Sequence, residues 1–153
     1  MLVLDTETYG LDHQKHKAFS CGFYANGEPL YIDFREEGID KAIELIMGHD
    51  LLVGHNLKFD VHMLIQAGVP WKLLKSKQLY CTQIAEAMIN EHRQSYSLDA
   101  LGQDYFEIPK IDIVSQIREH FGTKQLAKKK AMGRISEMPY EFVKKYCLRD
   151  CQI

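Results

Sequence analysis

The chain has 153 residues, 46% of them hydrophobic and 26% charged, which is enough to bury the core of one domain. A formal net charge of -2 and a pI near 6.4 exclude a protein that grips nucleic acid through a broad basic surface, because that mode needs many lysines and arginines in excess. No apolar run approaches the roughly 20 residues of a membrane span, no signal-like segment opens the chain, and the cysteines at 21, 81, 147 and 151 lack C-x-x-C spacing, so a reduced, cytoplasmic protein with no membrane association is expected.

Residues 1–8, Met1-Leu2-Val3-Leu4-Asp5-Thr6-Glu7-Thr8, run from aliphatic residues into two acids at alternate positions. As a strand, this segment points both carboxylates to one face. Two more strands follow at 18–25 and 30–34, joined at Asn26-Gly27, a dipeptide that favours tight hairpins. Residues 39–47 read as a helix and 51–53 as a short buried strand. The helix at 57–68 has Asn56 as its expected N-cap, Gly68 at its stop and Pro70 just beyond. Asp60, Met63, Leu64 and Ala67 fall at i, i+3, i+4 and i+7 of that helix, so Asp60 heads its apolar stripe.

A fifth strand is placed at 78–81, and helices at 82–90, 97–105 and 112–121, the last ended by Gly122. The final helix, 139–151, opens on Pro139 and carries its apolar face through Val143, Tyr146, Cys147 and Asp150. Tyr146 and Asp150, four apart, project from the same side. Cys147 and Cys151 read as packing residues, because no neighbouring histidine completes a metal set. Strand and helix alternate from residue 51 onward, which implies parallel pairing in that half and an α/β layer architecture.

Taken singly, each acid has an ordinary explanation. Asp5 and Glu7 suit the polar face of an edge strand, Asp60 a first helical turn favoured by the helix dipole, and Asp150 a partnership with Arg149 or a lysine. Tyr146 suits an amphipathic core position. Together they place four acids at core positions of three elements, and buried carboxylates in a cluster call for a cation. An all-oxygen donor set favours Mg2+ or Mn2+ over zinc. In an open α/β sheet such a site forms at the carboxyl ends of the strands, where helices carrying Asp60 and Asp150 can reach the end of the first strand.

Three segments then carry a resemblance. Asp5-Thr6-Glu7-Thr8-Tyr9-Gly10-Leu11, His55-Asn56-Leu57-Lys58-Phe59-Asp60 and Tyr146-Cys147-Leu148-Arg149-Asp150 resemble, in order, the three motifs of the DnaQ-like 3'-5' exonucleases. The tyrosine resembles the DEDDy branch. Cys81-Thr82-Gln83-Ile84-Ala85 followed by Ser97-Leu98-Asp99-Ala100-Leu101 resembles the proofreading exonuclease domain of family A DNA polymerases, especially phage ones. The resemblance spans essentially the whole chain.

It implies a ribonuclease H-like α/β fold, a mixed five-stranded sheet flanked by helices, and a two-metal hydrolysis with Mg2+ or Mn2+. The implied reaction removes nucleoside monophosphates from the 3' end of single-stranded DNA, in proofreading. Asp5, Glu7 and Asp150 would hold the metal that activates water, with Asp5 bridging to the second metal and Asp60 acting through that metal's water shell. Tyr146 would orient the attacking water. Thr6 and Thr8 would lie along the terminal nucleotide, Leu11 would wedge against its base, and Asn56 and Phe59 would line the path of the strand. His55 stands where relatives often carry glutamine.

The implied partners are single-stranded DNA 3' ends and a fused or associated DNA polymerase, in a bacterial or phage-infected cell. The short tail after Asp150 suggests a fragment or the N-terminal domain of a longer chain. An RNA-directed exonuclease and a catalytically silent module that binds nucleic acid or a polymerase are the alternatives. The one dense basic run, Lys124, Lys128, Lys129, Lys130 and Arg134, suits either a solvated face or loop, or a phosphate-tracking arm beside a cleft.

Overall fold

The strand signals of the first half fold into one mixed sheet. In the computed structural model, which describes residues 1–108 and 111–153, the strands are β1 (Leu2–Thr8), β2 (Ala18–Ala25), β3 (Glu28–Asp33), β4 (Leu51–Gly54) and β5 (Gln78–Cys81), in the spatial order β3-β2-β1-β4-β5. β1 runs antiparallel to β2 and parallel to β4, and β4 runs parallel to β5. The β2–β3 hairpin turns at Asn26 and Gly27 with φ of 54° and 85°, both positive, as a type I' turn requires.

The helices are α1 (Asp40–Met47), α2 (Leu57–Ala67), α3 (Trp71–Lys75), α4 (Thr82–Ile89), α5 (Leu98–Phe106), α6 (Ile113–His120), α7 (Lys128–Met132) and α8 (Tyr140–Gln152), with a 3-10 turn at Ile135–Glu137. The expected strands and longer helices are all present, including the fifth strand. α3, α7 and the 3-10 turn were not foreseen, since three to five residues are too few to display an apolar period.

Helix starts show one correction. Ser97 and Asp112 cap α5 and α6, accepting hydrogen bonds from the amides of Ala100 at 3.4 Å and Ser115 at 3.0 Å. Asn56 precedes α2 as expected but makes no capping bond, because its backbone is left-handed (φ 59°, ψ 38°) rather than extended. Asparagine is among the few residues that tolerate that conformation.

Both faces of the sheet are covered. Leu2, Leu4, Phe23, Ile32 and Leu52 pack against Ala42 and Ile46 of α1, Leu57 and Leu64 of α2, and Leu74 of α3. Phe19 and Tyr31 pack on the other face with Ile117 of α6, Ala131 of α7, and Val143 and Cys147 of α8. Phe19 and Cys21 are two apart yet belong to different clusters. The cause is a bulge: Glu7 pairs with Ser20 while Thr8 pairs with Ala18, so Phe19 is the extra residue and its side is switched. The irregularity falls beside Glu7, at the end of β1 where the acids gather.

Candidate active site

The end of β1 is where the two faces of the sheet meet. Asp5 pairs with Gly22 of β2, and its side shares the α8 face. The Asp5 and Glu7 carboxylates and the Cys147 thiol lie with their ligand atoms all within 4.8 Å of one another. Cys147 Sγ donates to the Asp5 carbonyl at 3.4 Å and lies 3.8 Å from Asp5 Oδ2. Thr6, between the two acids, points to the opposite face and reaches α2. Its amide and hydroxyl both donate to Asp60 Oδ1, at 3.1 and 2.7 Å. Alternation along one strand therefore links β1 to α8 through the acids and to α2 through the threonine.

All four acids resist ionisation. Burial, followed by the charges of Asp60, Glu7 and Asp150, holds the Asp5 carboxyl well above the usual range. Burial with Asp150 and Asp60 does the same to Glu7. Burial pushes Asp60 up to about 7 despite its bonds from Thr6, and Asp150 up to about 6 despite Arg149. Arg149 Nη1 donates to Asp150 Oδ1 at 3.0 Å and lies 3.5 Å from Asp99. Tyr146 is half-buried beside these acids, and burial together with Asp150, Glu7 and Asp5 raises its phenol, which therefore stays a proton donor.

Two hollows meet at Asp5, Thr6, Phe59 and Asp150. The larger, about 650 Å³, is also lined by Glu7, Thr8, Leu11 and Tyr146 and by Lys129 and Lys130. The smaller, about 310 Å³, is also lined by Asp60, Asn56 and His55. Every site residue named from the sequence thus borders one hollow or the other. The hydroxyl protons of Thr6 and Thr8 are used within the protein, the latter on the Gly10 carbonyl at 2.9 Å, so what these residues offer the hollows is shape more than hydrogen bonds. His55 is tied to Thr82 Oγ1 at 3.0 Å, which joins the turn before α2 to α4.

The structure adds residues that the sequence reading passed over. Cys147 is more than packing, since its thiol supports Asp5. The available signal was its spacing, three residues before Asp150, which puts the two on neighbouring positions of one helical side. Of the basic run, Lys129 and Lys130 border the large hollow, whereas Arg134 is engaged by Glu137 at 2.8 Å and stacks over Phe121.

Residues 1–153, the full chain, match the 3'-5' exonuclease family DNA_pol_A_exo1. The chain belongs to this family. It is a metal-dependent 3'-5' exonuclease by class. The chain is 32% identical over 157 residues to the DNA polymerase DpoZ of Salmonella phage PMBT28 and 29% identical over 156 residues to that of Acinetobacter phage SH-Ab 15497. Each alignment covers 99% of this chain and 24% of the relative, so the chain spans about a quarter of the length of these polymerases.

Among solved structures, the fold is similar to Brucella melitensis NrnC bound to pGG (TM-score 0.59, 15% identity, 99% of this chain and 79% of that one). It is also similar to the apo form of a nuclease (TM-score 0.58, 14% identity, 99% and 82%) and to NrnC with bound Mg2+ (TM-score 0.56, 15% identity, 99% and 79%). These likenesses establish the ribonuclease H-like fold. Among the described residues no helix is long and apolar enough to cross a membrane.

Proposed function

We propose that the chain hydrolyses the terminal phosphodiester of single-stranded DNA from the 3' end, as the editing portion of a DNA polymerase, with two Mg2+ or Mn2+ ions held by Asp5, Glu7, Asp60 and Asp150. The observation that carries this reading is the gathering of four carboxylates, Glu7 and Asp60 buried and Asp5 and Asp150 half-buried, around two adjoining hollows with little positive charge beside them: among the described residues Arg149 reaches Asp150, and Asp60 accepts the bonds of Thr6. Such a set suits hard divalent cations that prefer oxygen ligands. Divalent cations bound there would neutralise the acids, activate water and stabilise charge on the phosphate.

The chain's own groups then divide the work. Tyr146, a donor beside Glu7 and Asp150, orients the attacking water in the larger hollow. Thr6 fixes the rotamer of Asp60, and Arg149 fixes that of Asp150. Leu11, exposed at the rim, wedges against the terminal base, and Thr8, Asn56 and Phe59 shape the passage of the strand. Lys129 and Lys130 supply the cationic wall that the overall charge of -2 does not. The DNA assignment is supported by the phage DNA polymerases to which the chain is similar along its whole length.

The test is to incubate the protein with 5'-labelled single-stranded DNA and matching RNA in Mg2+, in Mn2+ and in chelator, and to resolve the products. A metal-dependent ladder that shortens from the 3' end, faster on DNA, is expected. Faster shortening of RNA would reassign the substrate, and intact strands under all metal conditions with binding retained would replace the enzyme by a silent binding module.

A further inference from the structure

We propose that Gly22 is a positioning residue: its missing side chain sets how closely α8, with Tyr146 and Asp150, sits on the strand that carries Asp5 and Glu7. The inference rests on the reading that these carboxylates hold the cations. Gly22 lies on β2 directly across from Asp5. Its backbone is not among those with positive φ, so conformation does not demand glycine there, and glycine in the interior of a strand often marks a close backbone approach. What demands glycine is room. A Cβ at this position would lie 3.0 Å from Cys147 Sγ, 3.0 Å from Cys151 Sγ and 3.1 Å from the Cys147 carbonyl oxygen.

These neighbours have little freedom to yield. The carbonyl belongs to the backbone of α8, both thiols are buried, and Cys147 Sγ is engaged with Asp5. A methyl group at 22 would move α8 outward by a few tenths of an ångström. Metal and catalytic constellations must be held to within about 0.5 Å, so a shift of a few tenths uses up much of that margin, and here the displaced element carries one acid while the strand it leaves carries two. The small thiols belong to the same device, since Cys147 and Cys151 fill the gap that Gly22 leaves.

The experiment is a mutant cycle on the chain itself, reading Mn2+ affinity from the loss of the free-ion electron paramagnetic resonance signal and, in parallel, hydrolysis of labelled single-stranded DNA. Gly22→Ala is expected to weaken Mn2+ binding by about tenfold in the otherwise unaltered chain, and by no more than about threefold in the Cys147→Ala/Cys151→Ala background, where both sulfur contacts are gone and the carbonyl contact alone remains. An equal loss in both backgrounds, or no loss in the unaltered one, overturns the inference. Should circular dichroism show that Gly22→Ala does not fold, Cys151→Val pushes carbon into the same gap from the α8 side, and unchanged Mn2+ affinity there overturns it as well. Absence of any Mn2+ binding that Asp5→Ala removes would overturn the metal reading and this inference with it, whereas normal binding in Gly22→Ala sinks the inference alone.

Discussion

Asp33 and Asp60 are equally buried, at 1% and 3% exposure, and the protein treats them in opposite ways. Asp33, at the end of β3, is clasped by Arg35, whose Nε donates to Oδ1 at 2.8 Å and whose Nη2 donates to Oδ2 at 2.5 Å. Burial alone would raise its pKa, but the Arg35 bonds bring it below the ordinary carboxylate value. Among the described residues no guanidinium clasps Asp60; the amide and hydroxyl of Thr6 donate to it, and burial lifts it to about 7. Burial of an acid is thus not in itself the mark of a site. Several acids drawn together with little matching positive charge are a better mark, and on that ground the proposed chemistry is assigned to the end of β1.

The contrast can be broken first at the acids. Asp5→Ala and Asp60→Ala should each lower hydrolysis by about a thousandfold or more, while thermal melts in chelator show no loss of stability, since removing one of several mutually repelling charges relieves strain. Clear destabilisation of both variants in chelator would equate Asp60 with Asp33. At the other pole, Arg35→Met leaves Asp33 buried with no cation. Breaking a buried pair costs about 3–5 kcal/mol; Arg35 is one-third exposed, so about 2–3 kcal/mol is expected in urea unfolding, with kcat little changed.

Titration sharpens the comparison further, because the two acids have opposite signs. In chelator, Asp60 and Asp150 retain protons that the unfolded chain has released, so stability should fall as pH rises from about 4 through about 6 and about 7. Asp33, with its lowered pKa, contributes stability that is present above the unfolded value and lost only as pH falls through its folded one. Melting curves from pH 5 to 8 should therefore decline in chelator and flatten when Mg2+ is added. The smallest effect is expected at the cationic wall. Lys129→Ala and Lys130→Ala should raise KM by about threefold each and reduce the salt dependence of binding, with kcat unchanged.

Much of this arrangement was legible in the sequence. The alternation of Asp5 and Glu7, the stripe headed by Asp60 and the four-residue spacing of Tyr146 and Asp150 are local periodicities, and local periodicity survives folding. Asn26-Gly27 announced its hairpin for the same reason. What stayed hidden depends on contacts between distant segments. The support of Asp5 by Cys147 spans 142 residues, and the room that Gly22 leaves for α8 is a property of two elements together. The bulge at Phe19 was equally invisible, since it is defined by the register of β2 against β1. Asn56 shows the reverse error: a residue type typical of helix caps took a left-handed turn instead.

The central claim is that the buried acids at the end of β1 are a divalent cation site. The most direct measurement is the anomalous difference map of a crystal soaked in Mn2+. Two peaks among Asp5, Glu7, Asp60 and Asp150, lost together in Asp5→Ala, are the result expected; a map with no peak there, under conditions in which the protein degrades DNA, would contradict it.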